Sequence, residues 1–206
     1  MGLKIVEIKG KLEILTGLHI GAGNSEIHIG GIDDSVVRNS FDRNPYIPGS
    51  SLKGKIRSLL ELSEGIIKDE HPSQRNDSTS LIPIIFGDTT KTEPSRIIFR
   101  DCFLSKESEE ILLEKDILPT EEKNENQIDR ISGTAKSPRN IERVISGMIF
   151  DFEANVKILK EDEYDSFKKL IERGFDLLEH DSLGGSGSRG YGKVKFNDLK
   201  WLVKEY

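Results

Sequence analysis

Cysteine is nearly absent: Cys102 is the only one in 206 residues. An internal disulfide is therefore excluded, and so is a metal cluster built on cysteines. Long apolar runs are missing too. None approaches the roughly 20 residues that a membrane-spanning helix needs. Met1–Gly10 is charged and alternating, which is not the pattern of a secretory signal, so a cytoplasmic chain is expected. The strand-like stretches lack the aromatics with which RNA-recognition sheets stack bases. Excess positive charge is missing as well: 30 lysines and arginines stand against 36 aspartates and glutamates, a formal charge of −6.

Taken whole, that acidity argues against a nucleic-acid partner. Its distribution changes the argument. Lys106–Glu125 carries −5 and Lys160–Asp181 carries −4, which leaves +3 for the rest of the chain. The bases outside those stretches cluster as Lys53, Lys55 and Arg57, as Arg130, Lys136, Arg139 and Arg143, and as Arg189 and Lys193. Salt confines each charge to roughly 8 Å, so an acidic protein can still carry a basic groove. The length suits one domain, 1–206, with a real core and room for insertions.

Glycine is what the chain concentrates. Leu183–Val194 reads L-G-G-S-G-S-R-G-Y-G-K-V and holds five of the 19 glycines. Glycine enters φ > 0 freely and lets another backbone approach closely. Bare N–H groups beside Arg189 and Lys193 suit an anion, and a phosphate chain is the natural one; a flexible hairpin loop is the plainer alternative. Two nucleotide motifs nearly fit and fail. Gly185-x-Gly187-x-x-Gly190 follows a helical pattern and precedes a strand, the reverse of the dinucleotide fingerprint. Gly187-x4-Gly192-Lys193 has Val194 where a P-loop needs Ser or Thr for magnesium.

Lys4–Thr16 alternates as a half-buried strand, with Val6, Ile8, Leu12 and Ile14 on one face. A glycine-rich loop, Gly17–Gly23, follows and contains His19. Gly30-Gly31-Ile32-Asp33-Asp34 is a second glycine break, with paired carboxylates that either cap a turn or do chemistry. Pro48-Gly49-Ser50-Ser51 opens a helix whose N-cap is expected at Ser50 or Ser51 and whose start suits phosphate. Leu52, Ile56, Leu59 and Leu60 form its buried stripe, with Lys53 and Arg57 four apart beside it. Approximately 69–80 reads as a flexible loop.

Arg96–Leu104 reads as a second strand. Approximately 105–143 has no steady period and is expected to project as one arm. Met148–Ile158 alternates as a third strand, and Lys193–Val203 completes the set. Tyr164–His180 is an amphipathic helix, with Gly174 on its apolar stripe as a site of close packing. The order is strand, helix, strand, arm, strand, helix, strand. That predicts an α+β, ferredoxin-like βαββαβ domain of the RNA-recognition type, with a large thumb-like insertion.

These residues carry a resemblance. Leu183–Val194 resembles the glycine-rich loop of the RAMP superfamily of CRISPR proteins. So do Thr16–Gly21, Gly31-Ile32-Asp33, Ile47–Lys55, Ile128-Asp129-Arg130 and Pro138–Arg143. Together, across essentially the whole chain, they resemble the repeated backbone subunit of type III-A effector complexes. The resemblance implies copies of this chain stacked along a guide RNA, beside other effector subunits and away from membranes. It implies a thumb within Ile117–Arg143 that interrupts the guide–target duplex. It also implies endonucleolytic cleavage of single-stranded target RNA at regular intervals, with Mg²⁺ or Mn²⁺.

On the same ground, Asp33 is the residue of cleavage and of metal binding. Guide contacts fall on His19, Ser51, Lys53, Lys55, Arg57, Arg130, Arg139, Gly187, Ser188 and Arg189. Asp34 stands where relatives usually have a small residue, which makes it a candidate helper or second metal ligand. Pro119 and Asn124 stand where aromatics are common, so stacking there should be weaker. Two other functions fit the resemblance: a non-catalytic RNA-coating subunit, and a guide-processing endonuclease that uses His19 or Tyr191.

Overall fold

The computed structural model describes residues 3–23, 34–67, 70–75, 79–88, 94–159 and 162–206. In chain order its elements are β1 (Lys4–Ile14), α1 (Gly49–Glu64), α2 (Ile82–Phe86), β2 (Ile97–Phe99), α3 (Lys106–Lys115), β3 (Thr120–Ile128), β4 (Ala135–Val144), β5 (Ile149–Ile158), α4 (Tyr164–His180) and β6 (Val194–Glu205). The main sheet runs β2-β5-β1-β6, antiparallel throughout. Numbered within the sheet this is the 4-1-3-2 order of a split βαβ fold, so the expected ferredoxin-like plan is present.

The period of two decides the faces. Val6, Ile8, Leu12 and Ile14 of β1 are buried under the helices, together with Phe150, Phe152, Ala154 and Val156 of β5. Gly10 takes the remaining even position, where a Cβ would come within 2.7 Å of the Asn197 carbonyl oxygen. The opposite face is a charged ladder. Lys11 pairs with Asp151 at 2.8 Å and Lys204 with Glu7 at 2.7 Å. The neighbours of Glu7, Lys9 and Lys11 on the flanking strands include no aromatic residue. Along β1 and its paired neighbours this face therefore presents no ring to bases.

Helices α1 and α4 cross at Gly174, where a Cβ would lie 2.7 Å from Ile56 Cγ2. Close packing is the reason that glycine is there, as its place on the apolar stripe predicts. Phe152, Phe175 and Phe196 form a three-ring cluster with centroids 4.6 to 5.5 Å apart, joining α4 to β5 and β6. Cys102 is buried and burial pushes its thiol up to about 12, so it is inert. Among the described residues, no helix is long and apolar enough to cross a membrane.

Four expectations need correction. The strand at Arg96–Leu104 shrinks to Ile97–Phe99, because Cys102 turns away to bridge Ile47 and Leu104 makes only a single bridge to Phe150. Neither Ser50 nor Ser51 caps α1. Its N-cap is Pro48, and the Gly49 N–H donates to Asp101 Oδ1 at 2.8 Å. The anion at this helix start is thus the chain's own carboxylate, more than 50 residues away along the sequence.

The segment 105–143 is two elements rather than one arm. Helix α3 is capped by Ser105, and the buried Ser108 fastens it to β5 through the Ile149 backbone at 2.8 and 3.1 Å. The hairpin β3–β4 forms its own two-stranded sheet. Within 69–80, Ser73 is buried rather than loose. Its N–H and hydroxyl donate to Glu61 Oε1 at 3.0 and 2.7 Å. Residues 69 and 76–78 lie outside the described residues.

Candidate nucleic-acid interface

The glycine loop, the loop after β1 and the root of the hairpin meet at one end of the main sheet. Hydrogen bonds join them in sequence. Leu18 and Val144 exchange backbone bonds of 3.0 and 2.8 Å. The Gly192 N–H donates to the Gly17 carbonyl at 3.0 Å, and the Gly185 N–H to the His19 carbonyl at 2.9 Å. Gly184 and Gly192 have φ of +76 and +70, and a Cβ at either would overlap a backbone carbonyl, that of His19 or of Leu183. Gly184 therefore serves close approach to the β1 loop, and Gly192 lets the glycine loop close on its own start. The outer rim of the loop, with Ser188 and Arg189, remains exposed, and Gly187 is half-buried.

His19 is buried between these parts. Its Nδ1 lies 2.7 Å from the Glu142 carbonyl oxygen and so carries the proton of that bond. Its Nε2 lies 3.3 Å from Asp34 Oδ2, on a carboxylate whose side chain is 56% exposed. Asp34 also pairs through its backbone with β4, its carbonyl accepting from the Glu142 N–H at 3.0 Å. Asp33 lies outside the described residues. Its neighbour in sequence is thereby attached to the hairpin root.

Glu142, which the sequence reading missed, organises this junction. Its carboxylate accepts from the Val36 N–H at 3.0 Å, from the Thr120 hydroxyl at 2.8 Å and from the Arg38 guanidinium. Burial pushes its pKa up, but these donors outweigh that and hold it below the ordinary carboxylate value. Nothing local marks it, since its partners lie 22 to 106 residues away.

The basic residues separate into two kinds. Lys55 pairs with Asp181 at 2.9 Å, just before the glycine loop. Arg57 points inward: its three nitrogens donate to Glu61, to the Gly87 carbonyl and to the Ser73 carbonyl, each at 2.8 Å. Lys53 and Ser51 are half-buried on the same helix. Burial, aided by the nearby Arg57 charge, pushes the Lys53 pKa down. On the hairpin, Arg130 sits exposed in the turn that Asp129 closes, and Arg139 is exposed on β4. Arg189 reaches from the glycine loop to Glu125 Oε2 at 3.1 Å. Arg189, Arg139, Glu125, Asn126, Gln127 and Ser137 line an open cleft of about 290 Å³. Arg130 stands apart from the sheet-end group, at the far end of the hairpin.

No group of three or more His, Cys, Asp or Glu side chains among the described residues could hold a metal ion. Asp34, with its exposed carboxylate, can supply one ligand. This suits an ion that keeps most of its waters and takes substrate phosphate oxygens, as magnesium does.

The chain is similar to several known proteins. The family model of the RAMP superfamily matches residues 11–195. A protein of Methanocaldococcus jannaschii named CRISPR system Cms endoribonuclease Csm3 is 44% identical over 207 residues, covering 97% of this chain and 81% of that one. A protein of the same name from Streptococcus thermophilus is 43% identical over 199 residues, covering 95% and 88%. A chain in the crystal structure of the Csm3–Csm4 subcomplex of a type III-A CRISPR-Cas interference complex superposes with a TM-score of 0.62 at 36% identity, over 100% of this chain and 82% of that one. A chain of the type III-B Cmr-beta complex bound to cognate target RNA gives a TM-score of 0.68 over 98% and 61%; at 17% identity this likeness shows the fold alone.

Proposed function

The chain belongs to the RAMP superfamily, in its Csm3 branch, and on that footing we propose that it is a guide-RNA-binding backbone subunit of a type III-A interference complex. Copies stack along the guide RNA beside other effector subunits, and each cleaves complementary target RNA at a regular interval. One observation carries this reading. The hairpin that would interrupt a duplex is joined at its root to the segment that follows Asp33, through the 3.0 Å bond from the Glu142 N–H to the Asp34 carbonyl. The element that displaces a nucleotide and the carboxylates that would act on it share one anchor.

The chemistry is transesterification within the RNA. The 2′-oxygen attacks the adjacent phosphorus as its proton leaves, the P–O5′ bond breaks, the departing 5′-oxygen takes a proton from water, and a 2′,3′-cyclic phosphate and a 5′-hydroxyl result. A nucleotide pulled out of the helix supplies the in-line geometry. Asp33 is the acting carboxylate and accepts the 2′-hydroxyl proton or holds the ion, with Asp34 as helper. A bound Mg²⁺ or Mn²⁺ would neutralise charge developing on the phosphate. Exposed Ser188, Arg189, Arg139 and Arg130 contact the guide backbone, as do Lys53, Lys55, Ser51 and Gly187.

His19 and Tyr191 do not suit a processing enzyme's acid and base. Both are buried, and both nitrogens of His19 face partners within the chain. A catalyst that acts on a substrate proton must reach it.

The test is cleavage of a guide-complementary RNA by the assembled complex. Products should form a ladder of constant spacing that disappears on chelation. Irregular products, or none from the wild-type assembly, would overturn the catalytic reading and leave an RNA-coating subunit.

Lys53 and Arg57 should now behave differently. Lys53→Ala should lower the salt slope of guide binding by about 0.7, the loss of one phosphate contact on a single strand. Arg57→Ala should leave the slope unchanged and cost about 3 kcal/mol of stability, because it strands Glu61 in the interior. Equal slopes for wild type and Lys53→Ala would remove Lys53 from the RNA path.

A further inference from the structure

Tyr191 is the one aromatic residue of the glycine loop, and it is 1% exposed. It does not pack into the main hydrophobic core. Its ring lies against the root of the hairpin instead. Lys123 Nζ is 4.4 Å from the ring centroid and Arg143 Cζ is 5.0 Å from it. Lys123 belongs to β3 and Arg143 to β4. A single ring is therefore gripped by both strands of the hairpin.

Each cation is itself held in place. Arg143 donates to Glu121 Oε1 from Nε at 2.8 Å and is paired with it through Nη2 at 2.7 Å. Lys123 is paired with Glu125 at 3.5 Å, and Glu125 in turn takes Arg189 of the loop at 3.1 Å. The Arg143 stem fills the space a side chain at Gly17 would need. Two acids thus offset the repulsion between two cations that share one ring. Cation–π attraction strengthens as the ring is desolvated.

The Tyr191 hydroxyl is buried without a hydrogen-bond partner of good geometry among the described residues. The ring makes the contacts with the two cations, and the hydroxyl lies toward the Glu125 carboxylate, which it helps hold below the ordinary carboxylate value.

We infer that Tyr191 is a positioning residue: its doubly gripped ring fixes the attitude of the hairpin on the core, and target cleavage depends on that attitude. The cleavage half rests on the function proposed above. The clamp half does not. Tyr191 acts through the hairpin and never touches RNA.

The experiment compares wild type with Tyr191→Phe, Tyr191→Leu, Lys123→Met and the Lys123→Met/Tyr191→Leu double variant. Leucine fills apolar space but has no ring quadrupole, so it separates cation–π attraction from packing. Hydrogen exchange is read at residues 120–123 and 141–144 in the free chain, and single-turnover cleavage in the assembled complex. Tyr191→Leu should speed exchange at the hairpin root and slow cleavage by about tenfold each. Exchange in β1 and β5 should not change, and target affinity should stay within about twofold.

Tyr191→Phe keeps the ring and loses only the hydroxyl beside Glu125, so it should be impaired far less than Tyr191→Leu in both readouts. Lys123→Met should give about a threefold effect that largely vanishes in the Tyr191→Leu background, the mark of a coupled pair. Lys123 is partly exposed, so its variant carries the test even if Tyr191→Leu also loosens the core. Equal impairment by Phe and Leu, or full additivity in the double variant, would overturn the clamp. If the wild-type complex cuts no RNA, the proposed function falls and exchange alone decides the clamp. If exchange responds and cleavage does not, the clamp stands and its catalytic consequence is overturned.

Discussion

Asp33→Ala should abolish target-RNA cleavage while folding and assembly on the guide persist. The residue lies in a glycine break, outside both helix stripes and all the alternating strands. Its removal should therefore cost little stability. If it holds the ion or takes the 2′-hydroxyl proton, its loss removes an interaction made mainly in the transition state. The rate should then drop by about 10²- to 10⁴-fold with target affinity nearly unchanged.

Asp34→Ala is the internal comparison. Its side chain is more than half exposed and, among the described residues, pairs with His19 at 3.3 Å. A modest rate loss there makes Asp34 a helper. A complete loss in Asp34→Ala with activity kept in Asp33→Ala would exchange their roles. The assay uses matched complex concentrations with and without magnesium. Metal-independent cutting by the Asp33→Ala complex would sink the mechanism.

The second large effect is expected in the glycine loop. Gly184→Ala and Gly192→Ala should each cost more than about 2 kcal/mol, since each adds a left-handed strain and a clash with backbone that cannot move aside. Gly190 also has positive φ, +88, but its Cβ would enter open space. Its alanine variant should lose about 1 kcal/mol from strain alone. Gly185 has no positive φ, and a Cβ there would meet His19 Cδ2 at an ordinary 3.5 Å, so Gly185→Ala should be near neutral.

Chemical unfolding of the four variants checks this order. Four equal losses would show that close backbone approach, to His19 at Gly184 and to Leu183 at Gly192, is not why these glycines are needed. A Gly185→Ala protein of normal stability but weakened guide binding would instead mark where the RNA backbone comes close.

Periodicity told most about the elements with one dry face and one wet face. The alternation in β1 and β5 and the stripe of Tyr164–His180 predict their faces because burial on one side imposes a strict repeat. The hairpin shows no such repeat. Thr120–Ile128 reads T-E-E-K-N-E-N-Q-I, and both of its faces are largely exposed. A strand wet on both sides has no reason to alternate. Helix α3 did carry signs, with Ser105 as cap, acids in its first turn and Lys115 in its last, but its apolar residues are only weakly aligned.

The clusters of positive charge were legible as clusters, not as functions. Lys53 and Arg57 stand four apart on one helix, and the sequence treats them alike. The fold turns Arg57 inward onto Ser73 and Gly87, 16 and 30 residues away. In the same way Asp101 takes the helix start that suited a phosphate.

By itself, then, the sequence determined the dry faces of β1, β5 and the two long helices, the βαββαβ order, and the family motifs that point to RNA. Only the tertiary structure decided which charges are spent inside the chain and which face outward, and that Glu142 and Tyr191 bind the hairpin to the core. The reason is one of range. Burial patterns repeat over a few residues and can be read locally, whereas a charge or a ring finds its partner across the fold, where no local repeat records it.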